Sequence, residues 1–351
     1  LHAASAFSFL QGASLPEALV DRAAALGYSA LALLDRDGVY GAPRFHKAAR
    51  AAGLQPIIGA ELTIAGAELA PSRSARGRSV SGRSSQATSA VSQIAPASSQ
   101  KSWLLPVLCE SQEGYRNLCR LISTMKLRAT KGDGALRLDE LEGWTRGLVA
   151  LVGRPALDSR GFGVAGLLDR LVGVFGRDRL YVELQRHFRR DEEADNAMLT
   201  SMAAAFRVPL VATGGVRFAT PAERPLFDVL SCIYHHTTVI QAGRRLAPNA
   251  ERYLKPPDEM AALFADCPDA VARTRELADR LQYTMADVGY RFPQYPVPPG
   301  ETQASFLRAL TDVGARDRYR PYHDRARAQV ARELDLIEKL DLAGYFLIVW
   351  D

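Results

Sequence analysis

The sequence predicts an α/β fold built from repeated strand–helix units, and three observations predict it. Short apolar runs rich in Val, Ile and Leu recur along the first 230 residues. Most are followed by a stretch with apolar residues at helical spacing, and Gly, Pro, Ser or Asp punctuate the joins. About seven strands read in this way, each with a helix after it, imply parallel pairing in a doubly wound sheet or a closed barrel. Periodicity does not choose between the two.

The elements follow in order. Ser14-Leu15-Pro16-Glu17 reads as a capping box with Pro in the first turn, and Leu19, Ala23 and Leu26 form a helical stripe ending at Gly27. "ALALLD" (30–35) reads as a buried strand, a helix follows around 42–52, and "LQPIIGAELTI" (54–64) supplies another strand. "WLLPVLC" (103–109) precedes a helix carrying Tyr115, Leu118, Cys119 and Ile122, and "GLVALVG" (147–153) comes next. "RLYVELQ" (179–185) leads into a helix over 190–206 with Ala194, Met198 and Met202 as its stripe. "VPLVAT" (208–213) leads into a helix over 221–233.

Between Glu68 and Glu110 there is no acidic residue, and 66–102 is dominated by Ser, Ala and Arg. This composition predicts a disordered insertion, because it cannot bury enough surface to offset its ordering entropy. Its Arg73, Arg76, Arg78, Arg83 and Lys101 could graze nucleic acid, but a solvated loop explains them as well. From about 257 strands disappear. Stripes at Val271, Thr274, Ala278 and Leu281, at Phe306, Leu310 and Val313, and at Val330, Leu334 and Ile337 predict helices around a proline-rich joint at 290–300. A first domain over 1–257 and a helical second region over 258–351 follow.

Composition sets outer bounds. The 351 residues are 47% hydrophobic, enough for one large or two ordinary domains, and the net charge of +5 favours a polyanionic partner only weakly. Cys109, Cys119, Cys232 and Cys267 show no metal spacing and read as reduced core thiols, which points to the cytoplasm. No run reaches the ~18 apolar residues of a membrane helix. With no initial Met and an abrupt end at Asp351 after "YFLIVW", the chain reads as a fragment at both ends.

In a barrel the chemistry collects where strands end, and there the sequence offers His2, then Asp35, Arg36 and Asp37, then Glu61, Glu183 and His187, and Gly214, Gly215 and Arg217. A metal cluster needs three or more converging deprotonated ligands per ion, and arginine cannot serve. The ring therefore falls short of a metal site by its residue types alone.

"LHAASAFSFLQGAS", "GYSALALLDRDGVYGAPRFHKAARAAGLQPIIGAEL" and "VPLVATGGVRFATPAE" resemble the polymerase-and-histidinol-phosphatase (PHP) domain of bacterial C-family DNA polymerases, in particular the error-prone branch related to the polymerase III alpha subunit. "YLKPPDEMAALFADCPDAV" and "ELDLIEKLDLAGYFLIVWD" resemble the segment leading into that family's palm. The resemblance implies a distorted (β/α)7 barrel. It also implies that His2 keeps the first residue of a His-x-His metal motif while Ala4 has lost the second. Arg36 stands where a histidine would, Gly215 and Arg217 replace a later Asp-x-His, and Glu61 matches the family's glutamate ligand.

On this reading His2, Asp35, Arg36, Glu61, Gly215 and Arg217 are vestigial positions, and the barrel is a metal-free scaffold. Arg36 and Arg217 would either neutralise Asp35, Glu61 and Glu183 in place of the lost ions or be surface arginines left by drift after activity was lost. The resemblance places the catalytic aspartates beyond Asp351, so no catalytic residue and no cofactor is expected in this chain. The full-length polymerase would use Mg²⁺, a DNA primer-template, dNTPs and accessory replisome or damage-response proteins, with no membrane. Two alternatives stay open: a metal-dependent PHP-type phosphoesterase or 3′–5′ exonuclease, and a non-catalytic remnant of a truncated gene.

Overall fold

A computed structural model describes residues 1–66, 102–130, 134–158, 163–287 and 294–351. The insertion expected at 66–102 lies outside the described residues except at its two ends. The first helix, α1 (Pro16–Ala25), starts at the proline and buries Leu19, Val20 and Ala23; Gly27, at φ 76°, takes the left-handed turn that ends it. The expected capping box is absent. Ser14 instead donates to Glu223 and accepts from the Ala219 amide at 2.7 Å, so its hydroxyl ties the helix entry to a distant loop.

The strands are β1 (Ala30–Arg36), β2 (Gln55–Ile64), β3 (Trp103–Cys109), β4 (Leu148–Val152), β5 (Leu180–Leu184) and β6 (Leu210–Ala212), and they lie side by side in chain order. The helices α2 (Ala42–Ala51), α3 (Gln112–Arg128), α4 (Gly163–Phe175), α5 (Glu192–Phe206) and α6 (Arg224–Tyr234) alternate with them. Uniformly parallel pairing does not hold. β3 runs antiparallel to both β2 and β4, with Ile64 opposite Trp103, so the chain leaves and re-enters the sheet at the same end across 65–102. Antiparallel neighbours need no crossover helix between them.

Six named strands are seen among the described residues, not seven. The seventh position is held by one residue: Ala3 forms parallel bridges to Leu33 in β1 and to Val216 beyond β6. Hydrogen bonds from Leu34 N to Ala3 O (2.7 Å), Ala4 N to Val216 O (3.0 Å) and Val216 N to His2 O (2.9 Å) join the two sheet edges. The closed, distorted barrel therefore has its seam at the N-terminal segment.

Alternation along each strand sorts the core into two layers. Leu31, Leu33, Ile58, Val107, Ala150 and Val182 face the outer helices, whereas Ala32, Leu34, Ile57, Leu108, Val149, Leu151, Tyr181 and Val211 fill the interior. After α7 (Val239–Ala242) and α8 (Pro257–Leu263), helix α9 (Pro268–Arg280) plugs the end where the parallel strands begin, with Leu277, Ala278 and Leu281 in the interior cluster. Gln55 Nε2 donates to Ala278 O and Leu281 O, and Arg273 and Arg280 bond the strand entrances at Leu210 O and Asp178 O. For this reason the first compact unit runs Leu1–Asp287, beyond the expected boundary at 257.

Two expected stripes differ from what is buried. In α5 Ala194 and Met198 are exposed, and the inward residues are Glu192, Asn196, Leu199 and Ala203. The two polar ones turn inward because they satisfy backbone: Glu192 accepts from His187 N and Arg189 N, and Asn196 donates to Gln185 O. The second unit, Val288–Asp351, holds α10 (Gln303–Arg318), α11 (Asp324–Lys339) and α12 (Ala343–Trp350) around Leu307, Leu334, Ala343 and Leu347. Phe306, Leu310, Val330 and Ile337 pack against that core, while Val313 is exposed.

Candidate functional site

The interior layer that lies above the apolar plug is polar. Glu61 shares its face of β2 with Ile57, Glu183 shares its face of β5 with Tyr181, and Thr213 follows Val211 two residues on. Strand periodicity thus carries two carboxylates and a hydroxyl into one closed space. The N-terminal seam adds His2, and the loop after β6 adds Arg217; all five are at most 6% exposed.

These groups face one another. His2 Nε2 lies 2.8 Å from Glu61 Oε1, and its Nδ1 lies 2.7 Å from Glu183 Oε1. Arg217 donates bidentately to Glu61, at 2.9 and 2.6 Å, and Thr213 donates to Glu183 at 2.5 Å. With a carboxylate against each ring nitrogen, both nitrogens donate and the imidazole is a cation. Burial alone would lower its pKa, but the charge of Glu183, with that residue's hydrogen bond and Glu61, raises it. Burial would likewise raise Glu61, yet Arg217 first and His2 next hold it far below the ordinary carboxylate range. Glu183 is lowered against burial, chiefly by His2. Two anions and two cations therefore pair in a chamber buried from the surface.

The other sequence-predicted positions do not all join this cluster. Asp35 faces away from it, because adjacent residues of β1 point to opposite sides and Asp35 shares the outer face with Leu31 and Leu33. Its Oδ1 accepts from Ser5 N, Ser5 Oγ and Ser8 Oγ at 2.8, 2.8 and 2.9 Å; burial nevertheless raises its pKa. Arg36 does not neutralise Asp35 as expected. Its guanidinium bonds Gln11, sits 3.8 Å from Asp37 and is 24% exposed. Of the two arginines, only Arg217 bonds a carboxylate of the barrel interior.

Gly215, where the resemblance puts an aspartate, has φ 51°, and a Cβ there would lie 2.4 Å from Gln185 Oε1. The Gln185 carboxamide occupies that space, 3.3 Å from His2 Nδ1 and 3.4 Å from Thr213 Oγ1. Ala4 is fully buried at the seam. His187 is turned aside, its Nε2 2.8 Å from Gly214 O and its Nδ1 3.4 Å from Glu192. Sequence reading missed Thr213, Gln185 and Arg252, whose Nε donates to Gly215 O at 2.8 Å. Gln185 was within reach of the period-two rule, since it follows Glu183 by two.

A metal cluster does not fit these residues. His2, Glu61 and Glu183 spend their donor atoms on each other, Arg217 covers both oxygens of Glu61, and Gln185 fills the place of a missing ligand. Among the described residues no group of three or more His, Cys, Asp or Glu is arranged to hold an ion.

The family model described as "PHP domain" matches residues 1–187, more than half of the chain. The chain belongs to the PHP domain family. Its similarity to curated proteins runs further. It is 37% identical over 384 residues to the error-prone DNA polymerase of Nocardia farcinica, covering 100% of this chain and 33% of that protein. It is 38% identical to the error-prone DNA polymerase of Mycolicibacterium paratuberculosis, covering 100% and 31%. The error-prone DNA polymerase of Anaeromyxobacter dehalogenans is 34% identical, at 100% and 35%. The PHP chain spans about a third of the length of the curated relatives it matches. Among solved structures, an amidohydrolase from Chromobacterium violaceum covers 62% of this PHP chain and 86% of its own, at 15% identity and a TM-score of 0.39. No described helix of the PHP chain is long and apolar enough to cross a membrane, and all four cysteines are free.

Proposed function

We propose that this chain is the N-terminal part of an error-prone, DNA-directed DNA polymerase that works in damage-tolerant DNA synthesis, replication and repair in the cytoplasm. The observation that carries the reading is the reach of the similarity: the PHP match stops at 187, whereas the polymerases align with all 351 residues, helical second unit included. The PHP barrel is its metal-free scaffold. Arg217 and His2 supply the positive charge that metal ions would otherwise bring to Glu61 and Glu183. They tie together four segments of the barrel wall.

Nucleotidyl transfer on a DNA primer-template, with dNTPs as substrates, belongs to aspartates beyond Asp351, where Mg²⁺ would polarise the reacting phosphate. Accessory replisome or damage-response proteins would bring the enzyme to its template. A metal-dependent phosphoesterase is the weaker reading, because the arginine fork on Glu61 takes the oxygens such a cluster needs. Primer extension past a template lesion by the full-length gene product tests the proposal. Incorporation by that product, and none by this chain alone, is expected; a full-length product that incorporates no nucleotide, or hydrolysis of phosphoesters by this chain, would overturn it.

A further inference from the structure

The loop at the barrel mouth carries a cation, Arg252, that no carboxylate bonds among the described residues. Residues 251–254 run beside 216–218: Arg217 N and Phe218 N donate to Arg252 O at 2.8 and 3.4 Å, and Phe218 bridges Tyr253. That pairing lays the half-buried Arg252 side chain back along the mouth, with Nε on the Gly215 carbonyl at 2.8 Å. Among the described residues its guanidinium has no carboxylate partner.

The surrounding acids are already committed. Glu61 belongs to Arg217 and His2, and Glu183 to His2 and Thr213. Glu192 accepts from His187 N, Glu251 bonds Lys255, and Asp37 accepts from Thr63 N and Oγ1. Arg189 is exposed two residues after His187, whose Nε2 lies 2.8 Å from Gly214 O and whose carbonyl accepts from Asn249 Nδ2, so it stands by the same loops; it too has no carboxylate partner among the described residues. Burial, then the like charge of Arg217, push the Arg252 pKa down to about 9, against the more distant charges of Glu61 and Glu183. Surplus positive charge in a half-buried recess attracts an anion, and a guanidinium fork matches the oxygens of a phosphate.

We propose that Arg252 and Arg189 form a metal-free phosphate-binding site at the barrel mouth, taking the oxygens of a free phosphate or of a nucleic-acid backbone. The site rests on the metal-free reading of the barrel, not on the polymerase activity of any longer protein. Calorimetric titration of the 351-residue chain with inorganic phosphate in the presence of EDTA tests it. Saturable binding is expected, weakened about tenfold in Arg252→Gln and severalfold in Arg189→Gln, and unchanged in the exposed control Arg50→Gln.

Arg252→Lys keeps the charge without the fork and should give an intermediate loss. Arg189, being exposed, can be replaced without risk to folding. Competition by a short single-stranded DNA assigns the nucleic-acid backbone as the source of the phosphate, and absence of competition assigns the free anion; either supports the site. No saturable binding of either probe, or wild-type affinity in both Arg252→Gln and Arg189→Gln, overturns it. Phosphate binding that appears only with added zinc overturns the metal-free reading beneath it.

Discussion

Replacing Arg217 by alanine removes two hydrogen bonds, at 2.9 and 2.6 Å, from a Glu61 side chain that is 2% exposed. Glu61 is then left with His2 alone, while His2 must still serve Glu183. Breaking a buried pair by removing one partner costs about 3–5 kcal/mol, because the remaining charge is neither solvated nor matched. In a unit of this size that is a loss of roughly 10 °C in melting temperature. The cost should shrink as pH falls below about 4.5, where Glu61 in the unfolded chain is already protonated and the folded variant can relieve itself in the same way. Circular dichroism melts of wild type, Arg217→Ala and the double variant Arg217→Met with Glu61→Gln check the reasoning, the double variant recovering most of the loss. A melting temperature for Arg217→Ala within about 2 °C of wild type would refute the claim that this pair is a buried, mutually dependent unit.

Arg36→Ala should change stability by less than about 1 kcal/mol, since its guanidinium is part-exposed and holds only Gln11 and a distant Asp37; chemical denaturation reads this directly. His2 has a raised folded pKa, so its stabilisation is complete below about pH 6.5 and is lost as pH rises through that folded value. The melting-temperature gap between wild type and His2→Gln should accordingly be wider near about pH 6 than near about pH 10, and a gap that grows with pH would count against an imidazolium at this position. Leu277→Ala should cost about 2–5 kcal/mol by opening a cavity where α9 plugs the barrel, measured by denaturant unfolding.

The strand–helix alternation was legible because buried runs and helical stripes are local properties, and β1 through β6 fall within a residue or two of their apolar runs. Strand direction was not, since "WLLPVLC" reads the same whether β3 runs parallel or antiparallel. The seam at Ala3 was also hidden: one bridging residue leaves no pattern to detect. The stripe in α9 announced a helix but not its docking surface, and for that reason the first unit extends to Asp287. At the site, the residue types at strand ends picked out His2, Glu61, Glu183 and Arg217, while the pairing of Arg36 with Asp35 failed on the alternation of neighbours in β1. Asn196 and Glu192 misled the α5 stripe, because buried polar groups that serve backbone break the apolar pattern.

Metal content tests most directly whether the pairing of His2 and Arg217 with Glu61 and Glu183 replaces metal ions in this barrel. The purified chain, saturated with zinc or manganese and then dialysed, should retain less than one ion per molecule by mass spectrometry of the metal and show no chelator-sensitive phosphoesterase activity. Two or more tightly held ions per chain, together with such activity and its loss in His2→Gln, would contradict the account.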